Sequence, residues 1–331
     1  MTFEQFQNEV TGRIRDFLPK EYANADIQIM ETHKLNQSYP ALIVRLEDEA
    51  AAPSIDLSQF FELSENGYSM EAVLASISEA AQMKADGFNK EMFSDYSQVK
   101  DKLFIRISDA EVNRDLLKNI PHRNVNGLAV TCHIMVELKE GEMGSAMVNN
   151  DLMRSLGVSF NEIYQDAMKN SPEVLPPSIQ SMEVMLGRLV GFEFGRDIPK
   201  DFESQLETID FANEPMVVLT NAEGVNGAAV ILYPEVLHKI GEQTGANFFI
   251  LPSSVHEVIL VADNGSMKLS ELSAMVKEIN STQVAPKDRL SDTVYHYDRK
   301  ERLLEKGTDY EARMNGKEVK AKAHREKDWE R

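Results

Sequence analysis

Between Met216 and Val261 the chain alternates short apolar runs with turn residues and one amphipathic stretch, which restricts it to a mixed fold. Met216–Leu219 and Ala228–Leu232 flank the turn-rich segment Asn221–Gly227, a pattern that predicts a hairpin. Pro234 and Gly245 bracket a helix with Val236, Leu237 and Ile240 inward. Phe248–Leu251 and Val255–Val261 predict two more strands across the Pro252-Ser-Ser turn. A helix capped by Ser266 follows, with Leu269, Leu272, Val276 and Ile279 on one face, and Thr293–Tyr297 alternates as a closing strand. The order β-β-α-β-β-α-β predicts the α+β class, with mostly antiparallel sheets and helices packed on one face.

The rest of the chain repeats the theme. Thr2 and Gln5 form a capping-box pattern ahead of Phe3, Phe6, Val10, Ile14 and Phe17, which predicts a helix stopped by Pro19. Ile27 and Ile29, then Ala41–Leu46, predict a hairpin. Helices follow over Leu57–Leu63 and from Ser69 to about Gly87. Leu103, Ile105 and Ile107 predict a strand, and Ser108 with Glu111 predicts a capped helix ending before Pro121. Leu128–Val136 predicts a central strand. Ser159 and Glu162 cap a strongly periodic helix expected to break at Ser171-Pro, and Ile179–Val190 predicts another. We therefore expect two halves: an N-terminal α+β domain over 1–140, a helical connecting region over 141–201 and a C-terminal α+β domain over 202–298. Residues 299–331 read as a charged, disordered tail.

Composition excludes several classes of function. The net charge of −19 repels phosphate backbones and anionic lipid, so nucleic acid is a disfavoured partner and a membrane is not expected. Within the tail, Lys317, Lys320, Lys322, Arg325 and Trp329 are interleaved with acids, which weakens any nucleic-acid reading. No run of 18 apolar residues occurs, and the first residues lack the basic lead and apolar core of a signal peptide, so a cytoplasmic location is expected. The single Cys132 cannot close an internal disulfide. It is expected to be a buried structural thiol, with His133 on the opposite strand face.

The densest group of reactive side chains is Ser253, Ser254, His256 and Glu257. A serine beside an imidazole invites a hydrolase reading. On an extended strand, however, residues two apart share a face at roughly 6.6 to 6.8 Å, so Ser254 and His256 would point the same way without touching, and Glu257 would point oppositely. A dyad then needs a partner from elsewhere, and convergence of His238, His256 and His296 would supply one. His256-Glu257 lacks the second histidine of the zinc helix motif, since position 260 is Leu260, so no metal is expected. Asn221–Gly227 leads to a predicted strand rather than a helix, so it does not read as a phosphate loop, and no cofactor is expected.

The segments Ala228-Ala-Val-Ile-Leu-Tyr-Pro-Glu-Val-Leu237, Phe249-Ile-Leu-Pro-Ser-Ser-Val-His-Glu-Val-Ile-Leu-Val261, Val284-Ala-Pro286 and Leu290-Ser-Asp-Thr-Val-Tyr295 resemble an uncharacterised bacterial family, the domain-of-unknown-function family 5688. The resemblance runs from about Phe3 to Arg299. It implies a bacterial cytoplasmic origin and carries no chemistry. The expectation is accordingly a non-catalytic protein acting on a protein partner or through self-association, with methionine-bearing helices as adaptable surface or core. The alternative is a hydrolase with its site around Ser254, His256 and Glu257.

Overall fold

The capping pair at the N-terminus forms as its spacing predicts: the Thr2 hydroxyl accepts from the Gln5 N–H, and the Gln5 side chain accepts from the Thr2 N–H. Helix α1 (Phe3–Arg13) turns Phe6 and Val10 inward, and both are fully buried. The computed structural model describes residues 1–47, 52–82, 90–139, 142–189 and 199–316. It divides into two compact units, Met1–Met92 and Phe93–Arg331.

In the first unit, β1 (Asp26–Lys34) and β2 (Gln37–Arg45) form the expected hairpin through Asn36 in the left-handed region. The short β3 (Ser54–Asp56) adds to β2. Helices α2 (Leu57–Glu65) and α3 (Met70–Gln82) close a core with α1 that includes Phe6, Leu42, Leu57, Leu74 and Ile77. The predicted extension of α3 to Gly87 lies outside the described residues.

The second unit holds two antiparallel sheets. After the short helix α4 (Tyr96–Val99), strand β4 (Leu103–Asp109) leads into helix α5 (Arg114–Leu117), then β5 (His122–Val125), β6 (Leu128–Lys139) and β7 (Glu142–Met147). Strand β6 is central as expected, pairing β4 on one edge and both β5 and β7 on the other. The expected domain division near residue 140 falls inside the β6–β7 hairpin, which ties its two sides together, and the break between compact units comes after Met92 instead. The Ser108–Glu111 capping box does not form. Asp109, one residue later, accepts from the N–H groups of Glu111 and Val112, while the Ser108 hydroxyl is buried on the sheet.

Helices α6 (Asn150–Leu156) and α7 (Phe160–Val174) follow, the latter closed by the predicted Ser159–Glu162 box. Pro172 lies inside α7, so the break expected at Ser171 comes later. The Ser171 hydroxyl donates to the Ala167 carbonyl and accepts from the Ile105 N–H of β4.

The second sheet has the order β13-β12-β10-β11-β9-β8. Its strands are β8 (Pro177–Ser181), β9 (Met216–Asn221), β10 (Phe248–Leu251), β11 (Val258–Ala262), β12 (Tyr295–Asp298) and β13 (Leu303–Lys306). Helices α8 (Met182–Leu189), α9 (Phe202–Glu207), α10 (Val236–Thr244) and α11 (Leu269–Thr282) are threaded between them. Phe249, Leu251 and Val261 of the sheet meet Leu269, Leu272 and Val276 of α11, and all are buried. On the opposite face Phe248 stacks on Tyr297 at 5.3 Å between ring centres.

Four expectations here are corrected. The helix predicted over Ile179–Val190 begins as strand β8, so the 141–201 region supplies a sheet edge and is not wholly helical. The Ala228–Leu232 strand is a buried 3-10 helix, Gly227–Leu232. Strand β9 is already paired on both edges, by β8 and β11, so no edge remains for a hairpin partner. Lys268, not Ser266, occupies the N-cap of α11, and its N–H is met by Glu271. Finally, residues 299–316 are not a free tail: β13 pairs with β12 and a helical run spans 307–316. The buried Tyr295 and His296 of β12 need that cover, which composition alone does not register. The basic residues Lys317–Arg325 and Trp329 lie outside the described residues.

Candidate functional site

Strand β11 starts three residues later than the alternation of Val255–Val261 predicts. Pro252–Glu257 is irregular backbone, anchored by a single bridge between Ser254 and Arg289. The Val255 N–H donates to the Asp288 carbonyl at 2.8 Å, and the Leu290 and Ser291 N–H groups reach the Ser253 and Pro252 carbonyls. The pleated-strand geometry expected for Ser254, His256 and Glu257 is therefore absent, and their neighbours come from other segments.

One of these is the Asn221–Gly227 loop. The Asn221 side chain organises it by accepting from the Glu223 and Val225 N–H groups and donating to the Val225 carbonyl at 2.8 Å. The Thr220 hydroxyl donates to the His256 carbonyl at 2.7 Å, and the Asn226 N–H points at His256 Nδ1 at 3.3 Å. Asn226 holds this position with φ 54, in the left-handed region that Asn tolerates. Gly227 is required by crowding: a β-carbon there would lie 2.5 Å from the His256 carbonyl oxygen and closer still to the Thr220 hydroxyl.

On the other side of the ring, His256 Nε2 meets Asp288 Oδ1 at 3.3 Å. An N–H directed at Nδ1 makes that nitrogen the acceptor, so Nε2 carries the proton and donates to Asp288. Both ring nitrogens are thus engaged. In a serine triad the acid holds one imidazole nitrogen so that the other faces the nucleophile. Here the other nitrogen faces a backbone amide.

The Ser254 hydroxyl accepts from the His256 N–H at 3.0 Å, the local turn bond that serines make beside prolines. Ser253 is buried, and its hydroxyl has no partner among the described residues. Glu257 is held above the ordinary carboxylate range by burial, opposed by a hydrogen bond with Ser254 and by the neighbouring His256. The four predicted residues do gather, together with Asp288, Asn226 and Thr220, in a clasp joining three segments. Sequence reasoning missed these last three. Asp288 closes a 3-10 turn that begins at Pro286 of the Val284-Ala-Pro286 motif, and that motif is the signal that could have found it.

The three histidines do not converge through shared partners. His296 is wholly buried on β12, its Nε2 donating to Asp263 Oδ2 at 3.1 Å and its ring stacked 3.5 Å from that of Tyr310. The Tyr310 hydroxyl donates to the same Asp263 oxygen at 2.9 Å. These bonds hold the Asp263 carboxyl below its usual range, while burial and the Asp263 charge push the Tyr310 phenol up to about 12. His238 on α10 has a buried Nδ1 without a partner among the described residues. Burial also pushes the Cys132 thiol up to about 12, so it is protonated and unreactive at neutral pH. Among the described residues no three His, Cys, Asp or Glu side chains form a metal-binding group. No helix among them is long and apolar enough to cross a membrane.

Compared with known proteins, residues 3–299 match the model of a family of unknown function. No curated protein and no solved structure matches.

Proposed function

The chain belongs to the family of unknown function DUF5688, and from that premise we propose that it is a non-catalytic cytoplasmic protein acting through a protein partner or through copies of itself. The observation that carries this reading is the engagement of both His256 nitrogens, by the Asn226 N–H and by Asp288. The clasp uses its polar groups to join backbone segments, and neither His256 nitrogen faces Ser253 or Ser254 as a general base. An edge strand supports the interaction half of the reading. Strand β1 is nine residues long, pairs only with β2 among the described residues and carries Met30 half-exposed, a surface suited to adding a strand from another chain. The lone buried Cys132 suits a reducing compartment.

Affinity capture from native cells, with light scattering on the purified chain, tests the reading. A stoichiometric protein partner or a defined oligomer is expected, weakened by Met30→Lys or by Thr32→Pro on the β1 edge. A monomer that captures nothing contradicts it.

A further inference from the structure

The β5–β6 hairpin, helix α5 and strand β13 enclose an open groove of about 450 Å³, within the usual span of small-molecule sites. Its lining includes Arg114, Lys118, His122, Asn124 and Lys306, against the single carboxylate of Glu111. That balance is the reverse of the whole chain, whose net charge is −19.

The donors in this groove are unevenly spent. Arg114 pairs with Glu111 at 3.0 Å and Lys118 with Asp115 at 2.6 Å, but all four side chains are at least two-thirds exposed, so these pairs are weak and exchangeable. Lys306 has no carboxylate partner among the described residues. Its amine lies over the hairpin turn, 3.3 Å from where a β-carbon of Gly127 would stand. His122 Nδ1–H donates to the Ile120 carbonyl at 2.8 Å, which leaves Nε2 of the neutral ring as an acceptor at the groove. Asn124 Oδ1 accepts from the Gly127 N–H at 2.9 Å, so its remaining capacity is the NH₂ donor pair.

The sheet face that carries His122 holds a further cation outside the lining. The register sets His122 opposite Thr131 and Thr131 opposite Arg106, so the three share one face in one row across β5, β6 and β4. Arg106 has no acid partner among the described residues, and burial lowers its guanidinium to about 10. In the rows on either side, the Ser108 hydroxyl and His133 Nδ1 are buried without partners among the described residues. In the lining itself, the Lys306 amine, the Asn124 NH₂ pair and the exposed Arg114 guanidinium are the arrangement that a compact, multiply charged anion satisfies.

We propose that this groove binds a small organic phosphate, with Lys306 as the principal charge contact, Asn124 and Arg114 as hydrogen-bond donors, and His122 Nε2 as an acceptor for a ligand hydroxyl. The test titrates the full chain with glycerol 3-phosphate and, separately, with inorganic phosphate at constant ionic strength, following the Gly127 and Asn124 amide resonances by NMR. Saturable shifts are expected with either probe, weakened at least tenfold by Lys306→Gln and largely restored by Lys306→Arg. Arg114→Gln, on an exposed side chain, provides a second variant if Lys306→Gln fails to fold, with weakening of at least threefold expected. The proposal is overturned if the shifts stay linear to 20-fold excess over the protein, if chloride reproduces them, if both Gln variants bind as the parent does, or if a DNA oligonucleotide binds there more tightly than the small phosphates.

Discussion

His256 decides how its neighbourhood is to be understood, because an imidazole with both nitrogens hydrogen-bonded is a strut. Removing it should cost stability and nothing else. His256→Ala and Asp288→Ala are each expected to destabilise by about 1 kcal/mol, the usual net worth of such a bond at a partly exposed site. Denaturant unfolding of both singles and the double measures this, and the double should cost less than the sum. Gly227→Ala should be worse, by about 3 kcal/mol, since its β-carbon has nowhere to go between Thr220 and the His256 carbonyl. His133 gives a pH signature. Burial, reinforced by the charge of Arg106, holds its pKa well below the ordinary value, so on acidification the unfolded chain takes up a proton that the folded one refuses. Stability should therefore fall as pH drops below about 6.5, by up to about 1.4 kcal/mol per unit. Urea titrations between pH 5 and 7 should show this slope reduced in His133→Gln, whatever that variant's overall stability. Asp263, held low by His296 and Tyr310, contributes at neutral pH and loses its contribution only in stronger acid, below the unfolded carboxylate range near 4.

At the scale of elements, β13 and the 307–316 helix complete the second sheet. Arg313 bonds Glu305 at 2.5 Å and Asp298 at 2.9 Å, and Tyr310 covers His296. A chain ending after Lys300 should lose several degrees or fail to fold; thermal unfolding of this truncation beside the full protein checks this. Leu272→Ala, emptying the α11 contact with Phe249 and Leu251, should cost about 2 to 5 kcal/mol. Elements were legible where local chemistry alone fixes them. The Thr2–Gln5 and Ser159–Glu162 boxes and the apolar alternation of β6 act within a few residues, and each formed as its sequence predicts. Errors arose where a distant segment decided. Ala228–Leu232 has strand composition, but β9 had no free edge to offer it; Ile179 lies in a strand, β8, that pairs with β9. Leu303–Lys306 looks like solvated tail until β12 is seen to require a partner.

For the whole molecule, the α+β class follows from the sequence because periodicity survives any rearrangement of partners. The division into units does not, since Lys139–Gly144 is as turn-rich as a linker and only pairing across it reveals a hairpin. The candidate site was legible as a cluster and illegible as a mechanism. Ser253, Ser254, His256 and Glu257 stand together in the chain, but the groups that determine what they do, Asp288, Asn226 and Thr220, arrive from 30 or more residues away. The reading of the protein as a binder and not a catalyst thus rests on the chemical inertness of those serines. Intact-mass analysis after treatment with a fluorophosphonate, which labels base-activated serines covalently, measures that directly. The folded protein is expected to remain unmodified under conditions that label a serine hydrolase to completion; a stoichiometric adduct on Ser253 or Ser254, lost in His256→Ala, would contradict the account.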